Sequence, residues 1–144
     1  MSSVTNVKQF LFSIQKDLAR MNALVDAMQH QYELLNQRRS EALLSQNTEI
    51  MFLLEEIKLS HAHRGTYLLS LGLTNDKAGM ETLRDRLPSP LREASTKLIE
   101  ELAMKSSICN MMNERSGRLL AEQKRLLAKL IGMPDNQQYP SQLL

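Results

Sequence analysis

Near the start of the chain, apolar residues recur at alternating intervals of three and four. The series consists of Val7, Leu11, Ile14, Leu18, Met21, Val25, Met28, Tyr32 and Leu35. A 3.5-residue repeat of this kind is typical of the contact seam of a helix in a bundle or coiled coil. Phe10 and Leu24 widen the stripe, as expected where one helix contacts two neighbours. The pattern predicts a first long helix over about residues 5–37.

The register changes within NQRRSE, residues 36–41. Ser40 is a favourable N-cap, and Glu41 would place a carboxylate in a first helical turn, where the helix dipole favours it. We therefore predict a turn here, with a sharp bend in a continuous helix as the alternative. The new register consists of Leu43, Asn47, Ile50, Leu54, Ile57, His61, Arg64, Leu68 and Leu71. It predicts a second helix over about residues 40–71, with Gly72 as its C-cap.

The stretch TNDKAGMETLRDRLPSP, residues 74–90, is the clear connector in the chain. It contains a candidate short helical turn over residues 80–87. At its end, Ser89 and Pro90 combine an N-cap residue with a first-turn proline, which is a strong helix start signal. A third helix is predicted from there, over about residues 89–131, before a glycine and a proline stop it.

Three helices of this length do not fit a compact sphere. The first, of about 33 residues, would span ~50 Å at 1.5 Å per residue, whereas a compact domain of this size is only about 35–40 Å across. We therefore expect an all-α fold, an elongated antiparallel three-helix bundle in which a long helical hairpin and a long third helix pack as in a coiled coil. The helical domain is expected to cover residues 1–133, and a flexible C-terminal tail residues 134–144.

Composition and charge narrow the class of protein. Of the 144 residues, 42% are hydrophobic, 24% are charged and nine are Gly or Pro, which excludes disordered, collagenous and membrane-embedded classes. The net charge of +2 comes from 18 basic and 16 acidic residues, a balance that does not suggest nucleic-acid binding. No stretch approaches the ~18 uncharged apolar residues of a membrane span, and no signal pattern opens the chain. A cytoplasmic protein without membrane insertion is expected.

The candidate reactive residues favour neither catalysis nor metal binding. His61 and His63 lie two positions apart on a helix, so their rings point in different directions, and we interpret His61 as a seam or boundary residue. The single Cys109 excludes an internal disulfide, suits a reducing compartment and is interpreted as a small buried hydrophobe. No glycine-rich phosphate loop and no G-x-S-x-G motif occurs. We expect a protein that is not an enzyme and has no cofactor.

The end of the third helix carries more apolar residues than one seam needs. Its leucines cover more than one side of the helix, and such a surface favours a partner. Methionines precede them, and Met-rich surfaces can repack around different apolar partners, although filling an irregular bundle core explains the methionines equally well. The candidate protein-binding residues are Met111, Met112, Leu119, Leu120, Leu126, Leu127, Leu130 and Ile131.

A distinctive combination of residues extends from the end of the first helix to the end of the second. It consists of Glu33, Leu35, Ser40, Arg64, Leu68, Leu69 and Gly72, and it closes on RGTYLLSLG. A long third helix that contains asparagine follows, and then a late tyrosine, Tyr139, after a Gly/Pro break. In this layout and in these residues, the chain resembles the FlgN-type flagellar export chaperones.

The resemblance implies a cytoplasmic type III export chaperone. Such a protein binds the C-terminal helical segments of the hook-filament junction proteins FlgK and FlgL, prevents their premature association and delivers them to the export gate. The resemblance further implies that the C-terminal part of the last helix contacts this cargo, and that Tyr139 docks on the cytoplasmic domain of the gate protein FlhA. The alternative is a structural coiled-coil adaptor that self-associates through its helices, and whether the chain forms a homodimer stays open.

Overall fold

The computed structural model describes residues 4–130, apart from the side chain of Leu127. The helices are α1 (Val7–Gln37), α2 (Ser40–Ser70), α3 (Lys77–Asp85) and α4 (Leu91–Leu130). No strand occurs between residues 4 and 130, so the predicted all-α class is confirmed. Within the same range, no helix is long and apolar enough to cross a membrane.

The first two helices form an antiparallel hairpin. Asp17 of α1 pairs with Arg64 near the end of α2, at 2.6 Å, whereas Gln31 Nε2 donates to Asn47 Oδ1 near the start of α2, at 2.8 Å. The connecting turn is short because Arg38 adopts a left-handed conformation (φ 58°), and its N–H bonds back to the last turn of α1. The predicted turn is therefore confirmed, and a continuous bent helix is excluded.

The two ends of α2 differ in how well the sequence predicted them. Ser40 is the first residue of α2 rather than its N-cap, and Arg39 occupies the cap position without a side-chain capping bond. This part of the prediction is wrong because Arg38 is already used to end α1, so only one residue is left between the helices. At the other end, Gly72 has φ 77°, and its N–H donates to a carbonyl of the last turn at 3.0 Å, as a C-terminal glycine does.

The last helix runs parallel to α1 and antiparallel to α2. Ser106 Oγ lies 3.8 Å from Met21 Sδ, and further along both helices an Arg115 Nη atom donates to Gln29 Oε1 at 2.8 Å. Both α2 and α4 pack extensively on α1, but they make at most marginal contact with each other. The predicted elongated bundle of alternating helices is confirmed, with α1 as the central helix.

The short helix α3 packs on α4 and, less extensively, on α2. Its N-cap is Asp76, whose carboxylate accepts bonds from the Gly79 N–H at 2.8 Å and from the Thr74 hydroxyl at 2.7 Å. A side chain at Gly79 would place a Cβ 1.7 Å from the Thr74 carbonyl oxygen, so this tight turn requires glycine. The helix therefore begins earlier than the predicted helical turn over residues 80–87.

Most of the core comes from α1. Its buried apolar residues are Phe10, Ile14, Leu18, Met21, Leu24, Ala27, Met28, Leu34 and Leu35. Every position of the predicted α1 seam is buried or half-buried. In α2, fewer apolar residues are buried, namely Ile50, Tyr67 and Leu68. Cys109 of α4 is a free, buried thiol, and burial raises its pKa, which confirms its interpretation as a small core residue.

Candidate protein-binding site

The C-terminal end of α4 reaches past the level of the α1–α2 turn. Gln123 Nε2 donates to the backbone oxygen of Leu35, close to the end of α1. Seven residues, or about two turns, of α4 follow Gln123. Ala128 in this stretch is buried, at 3% exposure, so one side of α4 stays covered there. In the same turns, Arg125, Leu126, Lys129 and Leu130 are exposed.

An exposed row of leucines runs along this end of α4. We define the leucine row as Leu119, Leu126 and Leu130, whose spacing of seven and four residues places them on one side of a helix. Leu119 is half-buried, whereas Leu126 is 46% and Leu130 72% exposed. Exposed leucines at helical spacing form a surface onto which another helix can pack.

The other predicted binding residues are divided between surface and core. Met111 is 61% exposed, whereas its neighbour Met112 is 8% exposed and belongs to the core cluster. Leu120 is half-buried. Met112 therefore fills the core, whereas a binding role for the exposed Met111 stays a prediction. The Leu127 side chain, Ile131 and Tyr139 lie outside the described part of the structure.

Exposed apolar side chains on α2 were not predicted as a surface. The large ones are Leu44, Met51, Phe52, Leu54, Leu59 and Leu69. Leu59, at 40% exposure, lines a groove together with Phe12 of α1, and Phe52, at 63% exposure, lies seven residues before Leu59 on α2. All but Leu54 stand outside the predicted α2 register, but apolar residues outside one seam can also contact a third helix. With α1 on one side and almost no contact with α4, α2 has free sides left.

A buried ion pair fixes how α1 and α2 are aligned. The Asp17 side chain is fully buried and the Arg64 side chain is 4% exposed, and Arg64 Nη1 also donates to Ser60 Oγ at 2.9 Å. The second Asp17 oxygen accepts from Arg20, at 2.8 Å, and Arg20 in turn approaches Glu56 at 3.4 Å. Arg64 is one of the residues that carry the family resemblance, and here it holds the hairpin together rather than contacting a ligand.

The histidines form no common site. His61 is exposed and its Nε2 lies 3.2 Å from Asn75 Nδ2, so it is not a seam residue. Arg64, the next position of the predicted α2 register, is buried. His30 Nδ1 lies 2.7 Å from Gln46 Oε1 across the hairpin. Among residues 4–130, no three His, Cys, Asp or Glu side chains are grouped as they would be around a metal ion.

The arrangement of these helices matches a solved structure. The crystal structure of a Pseudomonas aeruginosa protein assigned as the flagella synthesis protein FlgN has a TM-score of 0.71 with this chain, over 81% of this chain and 90% of the other. The two sequences are 18% identical, so the likeness is one of fold. No family model and no curated protein sequence matches the chain. The resemblance drawn from the sequence is thus confirmed at the level of the fold.

Proposed function

We propose that this chain is a cytoplasmic flagellar type III export chaperone of the FlgN type, not an enzyme. It binds the C-terminal helical segments of FlgK- and FlgL-type junction proteins, prevents their premature association and delivers them to the export gate. The observation that carries this proposal is the FlgN-like fold over 81% of the chain. Residues 1–133 act as the chaperone domain, and Tyr139 in the tail of residues 134–144 docks on FlhA.

The leucine row is the proposed centre of the cargo site. A cargo helix that packs there buries apolar side chains that are now partly in water, and burial of apolar surface drives such association. Met111, at 61% exposure, lies about two turns before Leu119 on the same helix and about 80° around it from the leucine row, and is a candidate second contact. The cargo helix approaches the exposed side of α4 at the leucine row, so that α2 and α3 stay in place. Binding therefore requires no rearrangement of the core.

Co-purification with the C-terminal fragments of the FlgK- and FlgL-type proteins tests this site. Leu126→Asp with Leu130→Asp is expected to abolish retention of the fragments, because two carboxylates would be buried without partners. Leu69→Asp is the matched control, since Leu69 is 68% exposed and Leu130 72%, and Leu69 lies on α2. The control is expected to retain the fragments. If both variants fold and bind as the wild-type chain does, the leucine row is not the site.

The alternative function is a structural adaptor that associates with copies of itself. The exposed Phe52 and Leu59 favour this alternative, because their spacing of seven residues places them on one side of α2, and such an apolar face can pair two hairpins. An adaptor would self-assemble and retain neither fragment. Phe52→Asp would then dissolve the assembly, whereas a chaperone with this substitution would still bind its cargo.

A further inference from the structure

We propose that the cargo helix carries an acidic flank, and that a row of cations on α4 recognises it. We define the basic row as Arg118, Arg125 and Lys129. This inference rests on the proposed function, because it specifies the chemistry of the helix that the leucine row binds. It adds a charge requirement that the apolar contacts alone do not impose.

The basic row repeats the spacing of the leucine row. Each leucine of that row directly follows one cation, so both rows have intervals of seven and four residues. With 3.6 residues per turn, the members of one row deviate by only about 20° from a straight line, and the two rows lie about 100° apart around α4. A helix on the leucine row would therefore have the cations along one flank, as charged residues flank the apolar seam of a coiled coil.

The basic row has no ion pair within residues 4–130. Its three side chains are exposed, and none of the ion pairs in that range includes them. Arg115, one turn earlier, behaves differently: its guanidinium carbon lies 3.8 Å from the Tyr32 ring centroid, and the group donates to Gln29. Arg115 is thus held against α1, whereas the three cations of the basic row point away from described partners and are available to carboxylates on another molecule.

A narrow apolar row with cations on one side fits a protein helix better than a membrane surface. Helices that lie on membranes present a broad apolar face. Here the leucine row is bordered on one side by the basic row and on the other by Gln123, which lies three residues before Leu126 and bonds to α1. The surface left for a partner is one helix wide, and the complementary helix has an apolar row with acidic residues beside it.

The test reverses the three charges and measures affinity for the C-terminal FlgK- and FlgL-type fragments at two salt concentrations. Arg118→Glu, Arg125→Glu and Lys129→Glu together are expected to weaken binding roughly tenfold or more at about 50 mM NaCl, because repulsion replaces attraction. Wild-type affinity should fall between about 50 and 300 mM NaCl, and affinity of the triple variant should not fall. Arg125→Gln is the milder second variant, with a smaller loss in the same direction.

The matched control carries the same change in net charge elsewhere. Lys8, Lys58 and Lys97 are exposed cations on α1, α2 and the beginning of α4, distant from the leucine row. Their replacement by glutamate is expected to leave affinity within about twofold, since exposed charges beyond a Debye length are largely screened. An equal loss in this control would show a general charge effect and overturn the inference.

Two further outcomes separate this inference from the proposed function. If the wild-type chain binds the fragments and the triple variant binds them equally well, with the same salt dependence, only the acidic flank of the cargo helix is overturned. Absence of fragment binding by the wild-type chain overturns the proposed function and the inference with it. Vesicles containing phosphatidylglycerol provide the remaining arm: if the basic row is needed for vesicle binding but not for fragment binding, it is a membrane contact and the inference is wrong.

Discussion

Leu24 of α1 and Leu130 of α4 both belong to apolar stripes of long helices, yet their surroundings are opposite. Leu24 is 2% exposed and Leu130 is 72% exposed. Two long helices cover α1, whereas the last turns of α4 extend beyond the hairpin that packs against the rest of that helix. The periodicity of a helix therefore shows that it has an apolar face. The number of neighbouring helices decides whether that face stabilises the fold or remains available to a partner.

Truncation of one leucine of each kind tests this contrast and has the largest expected effect on stability. Leu24→Ala should lower the free energy of unfolding by about 4 kcal/mol, because it removes buried methyl groups and leaves a cavity in the core. Leu130→Ala should change it by no more than about 0.5 kcal/mol, as exposed positions do. Urea unfolding followed by circular dichroism measures both. Equal losses would mean that the end of α4 is also part of the core.

The second prediction concerns the polar part of the same interior. Arg64→Ala leaves the Asp17 carboxylate buried with Arg20 as its remaining cation, and should cost about 3 kcal/mol, the lower end of the range for a broken buried pair. Replacing the partly exposed Arg20 by alanine should cost less, about 1 kcal/mol or below. The same urea titration provides the values. A larger loss for Arg20→Ala would show that Arg64 is not the main partner of Asp17.

The smallest expected effect on stability concerns the N-cap of α3, which belongs neither to the core around Leu24 nor to the exposed end of α4. Hydrogen bonds from the Thr74 hydroxyl and the Gly79 N–H lower the pKa of Asp76. Because this pKa is lower in the folded than in the unfolded chain, the stabilisation is complete above the unfolded value of 3.8 and is lost as the pH falls through the folded value. Asp76→Ala should therefore lower the thermal midpoint at neutral pH, and the difference should shrink in acid. A difference that grows in acid contradicts this assignment.

Much of the fold could be predicted because α1 follows one simple rule throughout. Its seam has no break in spacing, and every predicted seam position is covered in the structure. The hairpin turn near Arg38 and the glycine at position 72 could also be predicted, since each interrupts a regular pattern. The pairing of Asp17 with Arg64 could not be predicted from the sequence. Two helical periods do not specify which residues face each other across a hairpin, so a buried ion pair between helices has no signal in either helix alone.

The free sides of α2 were harder to predict for a related reason. Leu44, Met51 and Phe52 stand outside the predicted register, but apolar residues outside one seam can contact a third helix. Whether they do depends on the position of α4, which packs on α1 and leaves α2 largely alone. The exposure of these α2 side chains therefore depends on how the helices are arranged, and it cannot be predicted from the sequence of α2 alone.

The binding role of the candidate site stays a prediction, but the burial of its residues can be compared with what the sequence predicts. The leucines at the end of α4 are partly or largely exposed, as a binding surface requires, but Met112 lies in the core. A signal for this was present: Met112 is three residues after Cys109 and four before Ser116, both of which are also buried. Residues at such spacing share a helix face, so Met112 could have been assigned to the core and Met111 to the surface.

The most direct test of the account is the mass in solution of the full chain, alone and mixed with each C-terminal FlgK- or FlgL-type fragment, measured by size-exclusion chromatography with light scattering. The account predicts a defined complex of chain and fragment that is lost when the chain is cut after Asn113, because the cut removes the leucine row and the basic row together. A chain that assembles only with itself and leaves both fragments free would contradict it.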